Sequence, residues 1–160
     1  MNDKKTINKI RIIIIVFIIF LVLSGITAFP IETELQILNN NINLFPEFIR
    51  NWLADVYFAV KTTNTNFPFL SYGTDWLAFA HIVIAVSFIG PLKDPVKNIW
   101  VIEFGIIACL MVIPLALFAG AVRGIPFYWR IIDCSFGILG LFPLIWCRKL
   151  IKKLELINKA

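Results

Sequence analysis

The chain has 160 residues, of which 59% are hydrophobic and 16% charged, and a mean hydropathy of +0.85 excludes an ordinary water-soluble globule. A formal net charge of +5 would suit a nucleic-acid partner if the bases formed a stripe with interleaved aromatics, but they do not. They cluster in the flanks of apolar blocks, so nucleic-acid binding is set aside and the basicity is read as a topological signal.

The apolar blocks are Ile12 to Phe29, Trp76 to Gly90, Ile99 to Val122 and Ile131 to Cys147. A spanning helix needs about 20 residues. Two of the blocks fall short alone, and helix-start signals in their flanks lengthen them. Thr74 or Asp75 can cap the second, Asp94-Pro95 reads as an N-cap followed by proline at the first helical position of the third, and Pro126 can open the fourth. The expectation is an all-α, integral-membrane four-helix bundle, a single polytopic domain with spans at about 12–29, 74–90, 95–122 and 126–147.

Lys4, Lys5, Lys9 and Arg11 precede the first span, Lys93 and Lys97 separate the second from the third, and Arg148, Lys149, Lys152, Lys153 and Lys159 follow the fourth. The other connections hold only Arg50, Lys61, Arg123 and Arg130. Cytoplasmic loops carry the excess of Lys and Arg, which predicts both termini in the cytoplasm. The first block could also be a cleaved signal peptide. Cleavage after Ala28 would put Ile26 where a small residue is wanted, so a retained anchor is preferred.

Residues 30–73 then form a long outer loop. Within it Ile49, Trp52, Leu53, Val56, Tyr57 and Val60 recur at intervals of three and four, predicting an amphipathic helix over about 46–61. Such a helix lies in the outer interface or folds over the bundle mouth as a lid. The stretches 39–43 and 61–66 read as polar connectors. In the second span Ala78, His81 and Ala85 share one face, small enough to admit another helix, with the only histidine at its centre. The bland role for His81 is a hydrogen bond across helices.

Glu103 in the third span sits near the cytoplasmic edge, where Lys97 or Arg148 can answer its charge, and Pro114 predicts a kink. On the fourth span Arg130, Asp133, Gly137 and Gly140 share a face beside Cys134. Arg130 and Asp133 are three apart and can pair, and the glycines admit a neighbouring helix.

Crossing order places Asp75, His81, Arg123, Arg130, Asp133 and Cys134 toward the outer side, where they are the candidate ligand-binding set. Arginine suits oxyanions, so a lipid headgroup or another amphipathic molecule with an anionic end is the expected ligand. The alternatives are an integral-membrane enzyme acting on a lipid or isoprenoid, with His81 and Asp133 as candidate catalytic acid and base, and a non-catalytic subunit of a larger membrane complex or homo-oligomer. The same groups can also form a purely structural ion-pair network. One histidine and three cysteines at separate depths, with no Cys-x-x-Cys, predict no metal and no cofactor. Cys134 is the one candidate reactive thiol. A composition heavy in Ile, Asn and Lys suits a bacterial inner (cytoplasmic) membrane.

Overall fold

The computed structural model describes residues 3–159, which are overwhelmingly helical, with no strand among them. Four helical segments are long and apolar enough to cross a membrane: Lys4–Ala28, Pro68–Lys93, Ile99–Val122 and Phe127–Ile157. This is compatible with a multi-pass membrane protein. The helices are α1 (Asp3–Ala28), α2 (Ile31–Asn40), α3 (Glu47–Asn66), α4 (Pro68–Ser87), α5 (Ile89–Lys93), α6 (Ile99–Pro114), α7 (Gly120–Val122) and α8 (Phe127–Lys159). The chain divides into two compact units, one holding the residues up to Ile18 together with Val86 onward, the other Ile19–Ala85.

In the first unit α6 runs along α8, and the approach is close because small residues line it. A Cβ added at Gly137 would lie 2.5 Å from the Cys109 carbonyl oxygen, and one at Gly140 would lie 2.9 Å from Cys109 Sγ. The small face expected on α8 is therefore seated on one cysteine of α6, which acts as a compact apolar residue. Lower down, Gly105 makes room for Phe88 and Leu144, and Phe88 stacks obliquely on Phe17 with ring centroids 4.8 Å apart. Ile10, Ile14, Phe88, Ile102, Leu144, Cys147 and Ile151 are fully buried in this unit.

The connection into α6 differs from the expected N-cap. Asp94 does not start a helix. Its Oδ1 accepts the Lys97 backbone N–H at 3.1 Å, and Asn98 Nδ2 donates to the carbonyls of Asp94 at 2.9 Å and Gly90 at 3.3 Å. That clasp closes a turn, so α6 begins at Ile99, four residues later than Asp94-Pro95 suggested. An Asx side chain bonding nearby backbone competes with helix in this way.

Pro114 does not end the third apolar helix but changes its winding: the α-helix passes into a π turn over Leu115–Ala119 and resumes as α7. Proline removes one donor and its ring crowds the carbonyl of Leu110, so the next turn widens. The helix then stops in a Schellman arrangement, with Gly124 at φ 71, its N–H on the Ala121 carbonyl and the Ile125 N–H on the Gly120 carbonyl. Pro126 follows, and its carbonyl receives the first N–H groups of α8.

In the second unit α2 packs along α3. Leu53 is buried and the remaining predicted apolar face of α3 is at least partly covered, whereas Asn51, Asp55 and Phe58 are exposed. The α2 helix occupies part of the expected loop, and α3 extends through Asn66, beyond the expected 61. Asn64 explains both ends of this arrangement: its Nδ2 donates to Glu32 Oε2 at 2.5 Å, and its Oδ1 accepts from the Ser71 hydroxyl. A residue of the expected connector 61–66 thus ties α2 and α4 to α3.

The second apolar helix starts at Pro68, not at 74, with proline in the first helical position where its missing N–H matters least. Gly73 lies inside it with open space around it, so neither Thr74 nor Asp75 is a cap. Gly25 of α1 meets α4 at the face expected to receive a helix. A Cβ there would lie 2.7 Å from the Ala78 carbonyl and 3.3 Å from His81 Cβ. On the exposed side of α4, Tyr72, Trp76 and Phe79 form an edge-to-face ladder with centroids 5.9 and 6.1 Å apart.

Candidate functional site

The stretch from Arg123 to Cys134 carries the densest polar groups of the first unit, and the turn around Gly124 sets their positions. Arg123 caps α7 and is exposed. Arg130, one turn into α8, reaches back over the same turn. Its Cγ and Cδ would each be 2.8 Å from a Cβ at Gly120, so the absence of a side chain at Gly120 gives its stem a place to lie. Nη1 donates to the Leu117 carbonyl at 3.2 Å, and the guanidinium carbon sits 5.3 Å from the Phe127 ring centroid.

Leu117 is in the π turn, where widened winding tilts carbonyls away from the regular ladder. Pro114 and Arg130 are thus linked: one opens the backbone and the other donates to it. The expected local pair between Arg130 and Asp133 is not made. Among the described residues neither Arg123 nor Arg130 has a carboxylate partner, and Arg130 Nε is buried with no hydrogen-bond partner at all.

Asp133 is half-buried on α8. Cys134 is buried, with Sγ 3.9 Å from the Ile113 carbonyl, a weak contact that packs the thiol against α6. In the second unit the early start of α4 puts Asp75 seven residues and His81 thirteen residues into the helix. His81 lies about midway along its span, deeper than a start at 74 implied. Its Nδ1 donates to the Leu77 carbonyl at 2.8 Å, one turn back on its own helix, where a cross-helix bond was expected. In that tautomer Nε2 is left as the acceptor.

The other end of the α6–α8 pair holds groups that the sequence only half revealed. Arg148 Nε donates to Glu103 Oε1 at 2.8 Å, so of the two expected partners Arg148 takes that carboxylate, while Lys97 pairs with Asp94. Beside the pair lies an open cavity of about 500 Å³ lined by Glu103, Ile106, Ile107, Ile145, Arg148 and Lys149. The direction of Arg148 is legible in the sequence: Arg130 and Arg148 are 18 residues apart, five turns at 3.6 residues each, so both project from one face of α8 toward the third apolar helix. No group of three or more metal-ligating side chains occurs among the described residues. No protein family matches the chain, and no curated protein or solved structure matches it either.

Proposed function

We propose that the chain is a multi-pass protein of a cell's inner (cytoplasmic) membrane, with both termini in the cytoplasm, that binds the anionic headgroup of a lipid or similar amphipathic ligand at its outer end. The observation that carries this is the pair of guanidinium groups at the Gly124 turn with no carboxylate to answer them, one having a buried, unpartnered Nε. A buried donor of this kind gains most from an oxyanion, which a planar guanidinium can meet with two parallel bonds. Asp133 and Cys134 line the same stretch, and Asp75 and His81 remain candidates on α4.

Two experiments test it. Single cysteines placed at Asn40 and Phe127 in a cysteine-free background should react with a membrane-impermeant maleimide added outside intact cells; protection of either until lysis would overturn the topology. Arg123→Gln, at an exposed position, should lower phosphatidylglycerol binding to the purified protein about tenfold with the helix content unchanged. Unaltered binding would leave the arginines as structural groups only.

A further inference from the structure

We propose a second lipid site, at the opposite end of the α6–α8 pair from the Gly124 turn: the groove beside Glu103 and Arg148 seats one anionic glycerophospholipid. Its phosphodiester would lie against Arg148 and Lys149, with an acyl chain along Ile106, Ile107 and Ile145. The surface has the two-part chemistry that such a lipid needs, a trough of isoleucines leading to a pair of cations, within a cavity of about 500 Å³.

The geometry of the ion pair favours an additional anion. Glu103 takes Arg148 by Nε, which is one of five guanidinium N–H donors. Both Nη groups are left for a second oxyanion, and their fork matches two phosphate oxygens. Glu103 thereby positions the guanidinium and removes one donor, without using the face that a phosphate would occupy. Lys149, the next residue, is exposed and has no partner among the described residues. With Glu103 counted, the lining carries one net positive charge, matched to the single negative charge of a phosphodiester.

The surrounding helix supports the same occupant. Leu144, Cys147, Ile151 and Leu154 bury one face of α8, while Lys149 and Lys153 are exposed on others. At about 1.5 Å per residue, 33 residues make α8 about 50 Å long, well beyond a hydrocarbon core of about 30 Å. Arg148 and Lys149 then fall where the helix leaves the acyl region, at headgroup depth.

The test is native mass spectrometry of the full chain in detergent, titrated with phosphatidylglycerol or with phosphatidylcholine of the same acyl chains. Phosphatidylglycerol should bind at least tenfold more tightly. Measured in an Arg123→Gln background, which removes the contribution of the Gly124 turn, the double variant R148Q/K149Q should lose that preference, and I107W, which fills the trough without altering charge, should weaken phosphatidylglycerol binding severalfold. Glu103→Gln should tighten it severalfold, because a competing anion is removed; a merely structural Arg148 would not respond in that direction. Lys153→Gln, basic but outside the groove, should change nothing.

Equal binding of the two lipids, an equal loss in K153Q and K149Q, or displacement by millimolar glycerol 3-phosphate would each overturn the proposal. The last result would mean that the cations hold a free phosphate and the trough is idle. If R148Q/K149Q fails to fold, judged by circular dichroism and gel filtration, the exposed Lys149→Gln alone should still lower phosphatidylglycerol binding about threefold. Because Arg123 and Arg130 lie outside the groove, failure at this groove leaves the site at the Gly124 turn unaffected.

Discussion

Arg130 and Arg148 sit on the same face of one helix, about 27 Å apart at about 1.5 Å per residue, and they are satisfied in opposite ways. Arg148 meets a carboxylate and leaves most of its donors open to the surroundings; its side chain is 45% exposed and that of Glu103 is 39% exposed. Arg130 meets a backbone carbonyl in a widened turn, lies over an aromatic ring, and buries its Nε. Near water a guanidinium needs no more than a screened partner. Against the helix pair, the backbone itself must be distorted to supply an acceptor.

The sharpest way to break the comparison is to separate the two helices between the arginines. Gly137→Leu would drive a side chain into the Cys109 carbonyl, and overpacking of this kind should lower stability by about 3 kcal/mol or more, read as the midpoint of thermal or detergent-induced unfolding. Both arginines should then lose their partners. If the midpoint is unchanged, α6 and α8 do not depend on this approach.

Next in size is Arg130→Gln, expected to destabilise by about 1 to 2 kcal/mol through loss of a charge-assisted bond to the Leu117 carbonyl and of its contact with Phe127. In a Pro114→Ala background the same change should have less than half that effect, because an unwidened turn would no longer aim the carbonyl at α8. A double-mutant cycle measures this coupling. Additive effects would detach the arginine from the π turn.

The smallest effect belongs to the exposed pair. Glu103→Gln and Arg148→Gln should each shift stability by about 0 to 1 kcal/mol, as partly solvated ion pairs do. Their coupling should fade between 0.05 and 1 M salt, since screening acts on charges near water. The Arg130 coupling should hold over the same range, and a matching salt response would erase the distinction between the two ends.

The coarse fold was legible because its signals are collective. Four long apolar blocks with helix-start signals in their flanks cannot be read as much else, and Ile49, Trp52, Leu53, Val56, Tyr57 and Val60 trace a stripe that survives small errors of boundary. What escaped was decided by single polar side chains. Asp94 resembles a helix starter, and only its clasp with Lys97 and Asn98 shows that it closes a turn. Asn64 and Ser71 lie in stretches that composition marks as loop, yet each is held within or against a helix. Arg130 and Asp133 are correctly spaced for a local pair. A carbonyl 13 residues earlier, in the π turn that follows Pro114, takes the arginine instead. Such partners become visible only when the backbone path is known. The groove at Ile106, Ile107 and Ile145 was hidden for the opposite reason: isoleucine is everywhere in this chain and marks nothing by itself.

Gly25 gives the molecule a problem of timing. The notch it leaves in α1 is filled by Ala78 and its neighbours, which are made 53 residues later. At roughly 5 to 20 residues per second, a first helix inserted as proposed would stand in the bilayer for several seconds with its recess open to acyl chains. Assembly at that notch would then be an exchange of lipid for protein, with no water to expel, and its rate would depend on how readily the lipid departs as well as on how soon α4 arrives.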